Sequence, residues 1–170
     1  MLADPAVIAA LDRSGLSYEV MECDPALADT AAFCAAYGIP LDRSANTILV
    51  ASKRPAGRFA ACVVLATTKL DVNAKVCGLM DVRKASFASA EETMAVTGMM
   101  VGGVTPFGLP LSVPVYIDAR VIEKSWVVLG AGSRSAKIRM DPAELTGLTG
   151  VAVVAGLALS RLADQGEEPA

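Results

Sequence analysis

Two glycine-rich stretches are the strongest candidates for chemistry in this sequence. Residues 102–108 read GGVTPFG and residues 130–134 read GAGSR, each between segments that favour β-strands. Glycine permits a positive φ and lets a ligand or another chain segment come close to the backbone. Backbone N–H groups held in such loops can stabilise a developing oxyanion, and tight turns are the alternative use of the same glycines. Neither stretch fits a phosphate-binding fingerprint, because GAGSRS lacks the last glycine of G-x-G-x-x-G and no Gly-Lys-Ser/Thr follows.

The absence of histidine restricts the possible reactions. With 0 histidines in 170 residues, neither a Ser-His-Asp nor a Cys-His arrangement can form. The four cysteines are far apart and lack the spacing of metal ligands, so no metal and no cofactor are expected. Hydrolysis by this chain would have to use carboxylates, backbone amides or groups of the substrate itself.

Charge is distributed unevenly along the chain, although the net charge is only −3. Residues 1–42 hold seven acidic side chains and one basic one, a balance of −6, whereas residues 43–84 hold eight basic and two acidic ones, a balance of +6. A basic middle third could meet a phosphate backbone. The acidic overall balance argues against tight binding to nucleic acid, and no DNA partner is expected.

Helices and strands alternate irregularly around the two glycine loops. Capping signals predict helices over residues 5–14, 30–37 and 89–98, a short helix from Asp71 to Cys77, a helical turn over 119–124 and a capped helix that starts at Asp141-Pro142. Strands are predicted at residues 17–22, 46–52, 59–66, 82–88, 113–118, 126–129, 136–140 and 151–155. Because residues 53–58 connect two strands as a hairpin, an α+β fold with a mixed sheet surrounded by helices is favoured over a doubly wound parallel sheet.

The domain organisation is predicted to be simple. Residues 1–162 form one domain, and residues 163–170 form a disordered acidic tail. The longest apolar run, residues 151–159, is much shorter than the ~20 residues that a membrane-spanning helix needs. A cytoplasmic protein without membrane contact is therefore expected.

At residues 97–108 the sequence resembles a known family. The stretch TGMMVGGVTPFG matches the Thr-Gly-x-x-x-Gly-Gly-(Val/Ile)-(Ser/Thr)-Pro-x-Gly signature of the YbaK/prolyl-tRNA-synthetase-associated domain family. The resemblance extends over about residues 30–154 through the stretches GIPLDRSANTILVAS, LDVNAKV, KASFASAEE, VYIDARV and VVLGAGSRSAKI. It implies an α+β domain like the editing (insertion) domain of prolyl-tRNA synthetases.

The resemblance also implies an activity. Family members act in trans as deacylases that hydrolyse the ester of a mischarged aminoacyl-tRNA, with backbone amides that bind the substrate carbonyl and a nucleophile assisted by the substrate. The implied partners are the acceptor end of aminoacyl-tRNA and an aminoacyl-tRNA synthetase, while a homodimer is left open. The amides of Gly102 and Gly103 are the expected carbonyl ligands.

The resemblance assigns the other site positions residue by residue. Substrate-binding positions are implied at Thr30, Thr47, Val104, Thr105, Pro106, Gly130, Gly132, Ser133 and Arg134. Asn46 is expected to act in catalysis but departs from the family, which has lysine there; asparagine keeps a donor but loses the charge and some reach. Alternatives remain open: N-capping for Thr30, a strand-edge cap for Asn46, a solvated surface for Arg134. Asp118 is considered as a residue that orients a loop amide.

Two functions from different classes follow from these observations. The first is a deacylase that clears a mischarged amino acid from tRNA, supported by the two glycine loops and the basic middle third. The second is a non-catalytic module of the same fold that holds an amino-acid-like ligand or a protein partner, supported by Asn46 and the acidic overall balance. Turnover of charged tRNA separates the two.

Overall fold

The computed structural model describes residues 3–161 of the chain. The predicted acidic tail at residues 163–170 lies outside the described residues, as does the end of the predicted domain at residue 162.

Most strands of the described chain belong to two sheets. The strands, in chain order, are β1 Glu19–Glu22, β2 Ala45–Arg54, β3 Ala56–Leu65, β4 Thr68–Leu70, β5 Lys84–Phe87, β6 Val115–Asp118, β7 Val127–Gly130, β8 Ala136–Met140, β9 Val151–Val154 and β10 Ala158–Ser160. The larger sheet has the order β5-β2-β3-β6-β9, and the smaller one has the order β1-β8-β7. In the larger sheet β5, β2 and β3 are antiparallel, whereas β6 and β9 are parallel to β3. The smaller sheet is antiparallel, and β4 pairs with β10 in a separate ribbon.

The β2–β3 hairpin is tighter than the sequence suggested. The predicted connection at residues 53–58 is reduced to Pro55 between the two strands, because β2 continues to Arg54 and β3 begins at Ala56. The pairing register shifts between Ala51 and Lys53, so an irregularity in the ladder takes the place of a longer loop.

The helices form where their capping residues predicted them, with two corrections. They are α1 Pro5–Ser14, α2 Thr30–Tyr37, α3 Cys77–Met80, α4 Ala90–Thr97 and α5 Ala119–Ile122. The Asp4 side chain accepts from the Ala6 N–H at 2.8 Å, and Ser89 Oγ accepts from the Glu92 N–H at 3.0 Å. The helix predicted from Asp71 is a π-turn, Val72–Val76, that leads into α3, and the helix predicted after Asp141 is a 3₁₀ helix, Pro142–Gly147.

The apolar core is arranged in layers around the sheets. One face of the larger sheet packs against the smaller sheet and α1 through side chains such as Val63, Ile138 and Leu11. The opposite face of the larger sheet packs on the π-turn and α3, and the outer face of the smaller sheet packs on α2 through Val128 and Phe33. The α+β prediction is confirmed. The layering brings the two sheets together beside the first glycine loop.

Candidate functional site

A cavity of about 330 Å³ lies where the two sheets meet beside the first glycine loop. Its wall combines the chain entering α2, the start of β2, the end of β5, the loop at residues 101–104, and parts of β7 and β8. Six of the residues proposed from the sequence lie on this wall: Thr30, Asn46, Thr47, Gly102, Val104 and Gly130. The remaining six are not part of it: Gly103, Thr105, Pro106, Gly132, Ser133 and Arg134.

Thr30 and Asn46 form a pair on the cavity wall. Thr30 Oγ1 donates to Asn46 Oδ1 at 2.7 Å, across from the start of α2 to β2. The N-cap of α2 is Asp29, so the Thr30 hydroxyl orients Asn46 and does not cap the helix. Because the amide oxygen is occupied by this bond, the Nδ2 group of Asn46 is the part of the side chain that can donate to a ligand.

Two buried threonine hydroxyls lack partners in the described part of the chain. These are Thr47 Oγ1, beside Asn46 on the cavity wall, and Thr105 Oγ1, which is buried in the glycine loop. A buried hydroxyl without a hydrogen bond is costly unless water or a ligand satisfies it. Thr47 therefore adds a second polar group that a ligand in the cavity could use.

The two glycine loops pack directly against each other. Gly132 N–H donates to Gly103 O at 2.7 Å. A Cβ at Gly103 would lie 2.7 Å from Ser133 O, and one at Gly130 would meet Val104 O. These glycines are therefore required by the close approach of two backbones, a third use beside the tight turns and ligand contacts considered from the sequence.

The backbone amides of the first loop are not equivalent. The Gly103 N–H donates to Met100 O at 2.9 Å, which engages the donor that the sequence analysis expected to face the substrate. Gly102 lines the cavity with a positive φ of 92°, and among residues 3–161 its N–H has no protein acceptor. Of the two amides, that of Gly102 is the one available to a ligand.

Arg134 acts as a clamp behind the cavity wall. Its Nη1 donates to Asp29 Oδ1 at 3.1 Å and to Val101 O at 3.0 Å, and its Nε donates to Pro25 O at 3.1 Å. The side chain thus joins the segment before α2 to the first glycine loop. This geometry differs from the solvated surface arginine considered as an alternative.

Lys137 is the cavity residue that the sequence analysis missed. It lies on β8, only 8% exposed, and its Nζ donates to Ala28 O at 2.8 Å and to Gly102 O at 3.0 Å. The ammonium group also lies 5.3 Å from the centre of the Phe33 ring. Burial lowers the pKa of Lys137 below its ordinary value. The available signal was a lysine between the apolar residues Ala136 and Ile138, immediately after the second glycine loop.

An aromatic side chain between two arginines lies on the same face of the smaller sheet as Lys137. The guanidinium carbon of Arg139 is 3.9 Å from the Trp126 ring centre, and that of Arg43 is 5.1 Å from it. Arg43 also donates to Ser125 Oγ at 3.0 Å. Each member of this Arg43–Trp126–Arg139 stack is one or two residues from the cavity residues Ser44, Val128 and Lys137. Guanidinium stacked on indole keeps its N–H donors in the ring plane free for other acceptors.

Asp118 does not contact either glycine loop. Its carboxylate accepts from the Arg120 N–H at 2.8 Å and the Ala158 N–H at 2.7 Å, and the residue is 1% exposed. The suggestion that it orients a loop amide is therefore wrong: it caps α5 and holds the start of β10.

The cysteines are buried, and burial raises the pKa of Cys62 to about 12. Residues 3–161 contain no cluster of three His, Cys, Asp or Glu side chains that could hold a metal ion. Over the same residues no helix is both long and apolar enough to cross a bilayer.

The chain belongs to the aminoacyl-tRNA editing domain family, whose model matches residues 24–148. The matched segment contains every residue of the cavity wall described above.

Individual proteins similar to the chain add less specific information. The chain is 38% identical over 63 residues to the uncharacterized protein YwhH of Bacillus subtilis (strain 168), a match that covers 37% of this chain and 40% of that protein. The crystal structure of the hypothetical protein APE2540 matches with a TM-score of 0.80 and 25% identity, over 90% of this chain and 99% of that one. A protein described as a "putative trans-editing enzyme for prolyl tRNA synthetase" matches with a TM-score of 0.77 and 23% identity, over 92% and 98% of the two chains, and supports the fold.

Proposed function

We propose that this protein is a trans-acting deacylase that hydrolyses the ester bond of a mischarged aminoacyl-tRNA. The observation that carries the proposal is the cavity itself, which lies within the segment matched by the aminoacyl-tRNA editing family and is lined by oriented neutral donors. At about 330 Å³ the cavity is near the lower end of the range of about 300–1,000 Å³ for small-molecule sites. This size suits an aminoacyl group with a small side chain.

The donors on the wall support a mechanism that stabilises the ester carbonyl. The Gly102 N–H and the Asn46 Nδ2 group, both on the cavity wall, are the proposed donors to the carbonyl oxygen, which gains negative charge when water attacks the carbonyl carbon. The C–O bond to the terminal ribose then breaks. One proton of the water ends on the ribose oxygen, and the other is released when the new carboxyl group ionises.

The activation of water is assigned to the substrate. The chain has no histidine, and Asp29, the acidic residue on the wall, is paired with Arg134 at 3.1 Å. A hydroxyl of the terminal ribose can orient the attacking water without a titrating protein group. Thr47 Oγ1, which lacks a protein partner in the described chain, is the proposed partner of either that hydroxyl or the substrate amino group.

The Arg43–Trp126–Arg139 stack is proposed to receive the acceptor end of the tRNA. Within residues 3–161 the Arg139 guanidinium donates to no protein acceptor, although it is stacked on Trp126. Arginine donors beside a half-buried aromatic ring suit phosphates and unstacked bases. Of the acidic residues near the stack, Glu19 lies across the strand pair from Arg139, and Asp42, next to Arg43, is paired with Lys124 at 3.2 Å.

The experiment that tests the proposed function is deacylation of a small panel. Alanyl-, cysteinyl-, seryl- and threonyl-tRNA would be offered on proline tRNA and on their cognate tRNAs. Turnover of one species above the spontaneous rate establishes the enzyme and identifies the amino acid. A flat panel with folded protein contradicts the proposal and favours a non-catalytic module that retains the cavity.

Variants at position 46 test the assigned donor. Asn46→Ala is expected to slow deacylation, and Asn46→Lys either to accelerate it or to change the preferred amino acid, because the lysine adds charge and reach. Asn73→Ala, on the exposed part of the π-turn, is the matched control. An Asn46→Ala protein with the rate of the parent would remove this residue from the site.

A further inference from the structure

We infer that Lys137 is a catalytic residue of this site, whose ammonium group donates its third N–H to the ester carbonyl oxygen of the substrate. The inference rests on the proposed function and adds a charged donor to the two neutral ones. The positive charge of the site then comes from β8, whereas Asn46 lies on β2.

The hydrogen bonds of Lys137 leave one donor for a ligand. An ammonium group has three N–H donors, and two of them are used by Ala28 O at 2.8 Å and Gly102 O at 3.0 Å. These bonds fix the position of the nitrogen, and Lys137 itself lines the cavity. A fixed donor in a water-poor site loses little reorganisation energy when charge develops in front of it.

The charge of Lys137 has no carboxylate partner within ion-pair distance among the described residues. Isolated buried cations are expensive, and a structural strut between two carbonyl groups could be built more cheaply from a neutral donor. The groups that act on Lys137 electrostatically are the thiols of Cys23 and Cys34, the carboxylate of Asp29 and the guanidinium of Arg134. Asp29 is itself bonded to Arg134, so the cavity keeps a positive end that fits an oxyanion.

A purely structural role is the alternative for Lys137. Lys137 could serve only to hold the Gly102 loop against the segment before α2, because both of its acceptors are backbone carbonyls. A strut requires a donor of suitable length, whereas oxyanion stabilisation requires a positive charge in the transition state. The pH dependence of the rate separates these roles, since only the second depends on the protonation of the amine.

The test compares Lys137→Met and Lys137→Arg with the parent on the aminoacyl-tRNA that the parent hydrolyses. Loss of one oxyanion donor typically costs about 100- to 1,000-fold in rate, so Lys137→Met is expected to lower kcat by at least about 100-fold. The parent rate, after subtraction of spontaneous hydrolysis, should fall at alkaline pH as the amine deprotonates, below the ordinary lysine pKa of about 10.4. Lys137→Arg should retain part of the rate and lose this alkaline decline, because arginine does not titrate there.

A second-site variant and a control complete the design. Lys137→Asn should hydrolyse the ester slowly. The double variant Asn46→Lys/Lys137→Asn should be at least about tenfold faster than Lys137→Asn, because the lysine on β2 returns a positive charge to the same cavity. Lys69→Met, on the exposed side of β4, controls for loss of a lysine. Parent-like kcat in Lys137→Met, or an alkaline decline that persists in Lys137→Arg, would overturn the inference while leaving the deacylase intact.

An inactive parent would contradict the proposed function and move the test of Lys137 to binding. The probe is then 3′-deoxy-3′-(alanylamino)adenosine, an amide in place of the ester, measured by calorimetry. Lys137→Met should weaken its binding by at least about tenfold, since the amide carbonyl accepts the same N–H. Equal affinity in parent and variant would overturn the inference as well.

Discussion

Asp118 and Lys137 are both charged and both buried, yet the structure uses them differently. Asp118 is 1% exposed and Lys137 8% exposed. Each oxygen of Asp118 accepts from a backbone N–H, of Arg120 and of Ala158, and Asp118 is not part of the wall of the 330 Å³ cavity. Lys137 has two bonds to backbone carbonyls, a third donor left over and a cavity beside it. Burial of charge therefore does not identify a functional group; unused hydrogen-bonding capacity beside a cavity does.

The largest effect that this comparison predicts is on stability. Two backbone N–H groups lose their acceptor in Asp118→Ala, and at about 1–3 kcal/mol for each unsatisfied buried group the free energy of unfolding should fall by about 2–6 kcal/mol. Lys137→Met should change it by no more than about 1 kcal/mol, because removal of a buried ion without a counter-ion offsets the loss of the bonds to Ala28 O and Gly102 O. Urea denaturation at pH 7 measures both. Equal losses in the two variants would mean that Lys137 is structural in the same sense as Asp118.

The loop that contains Gly102 is held by Lys137 and is expected to be needed for activity. In Gly102→Val a Cβ would meet Nη1 of Arg134, so the arginine must leave its place, and a side chain at a φ of 92° strains the loop beside the bond from Lys137 to Gly102 O. Deacylation should fall by roughly 100-fold or more while unfolding remains cooperative. Gly57→Val is the control, since its φ of 98° gives similar strain with no atom within 4 Å of the added Cβ.

A full rate in Gly102→Val would exclude the loop from the mechanism. The neighbouring position behaves differently, because a Cβ at Gly103 would lie 2.7 Å from Ser133 O in the other loop. Gly103→Val should therefore also lose stability.

A smaller effect is expected in the pH dependence of stability. Because burial lowers the pKa of Lys137, the unfolded chain holds this proton more tightly than the folded chain does. Stability should consequently rise, relative to Lys137→Met, as pH increases from the lowered pKa toward the unfolded value of about 10.4. The other titrating groups largely cancel in this difference. A difference in unfolding free energy that stays constant up to pH 10.5 would show that Lys137 titrates normally.

The smallest effect is predicted for the Arg43–Trp126–Arg139 stack, which lies two residues along β8 from Lys137. Arg139→Gln should raise KM for the tRNA about threefold, leave kcat unchanged and reduce the slope of log affinity against log salt by about one, as for one lost phosphate contact. Arg13→Gln, at the far end of α1, should change neither quantity. An unchanged salt slope in Arg139→Gln would place the RNA elsewhere.

Local signals explain how much of the fold the sequence predicted. Asp4, Gly15 and Ser89 act within a few residues of the helix ends they define, so the helices were found. The strands β4 and β10 were missed because each has three residues and gains its identity from the other, about 90 residues away along the chain. The 3₁₀ helix Pro142–Gly147 shares its start signal with an α-helix, and packing rather than capping decides between them.

The candidate site was predictable in part. The motif at residues 97–108 led to Gly102 and Val104, and the resemblance led to Thr30 and Asn46 on the same cavity wall. Lys137 could not be found in this way, since its environment depends on how Ala28 and Gly102 meet β8 in three dimensions. The bond from the Gly103 N–H to Met100 O is local, but the residue types do not show which of the two adjacent glycine amides closes the turn.

The bond from Lys137 to Ala28 O determines when the cavity can form during synthesis and folding. It joins positions 109 residues apart, and Arg134 spans an equal separation to Pro25. Contacts between such distant segments must overcome a large loop-closure entropy and form late in folding. A chain still on the ribosome has its glycine signature and β2 outside long before β8 emerges, so it has no complete cavity until synthesis has passed residue 137. Any hydrolysis of charged tRNA by this protein must therefore await the synthesis of β8.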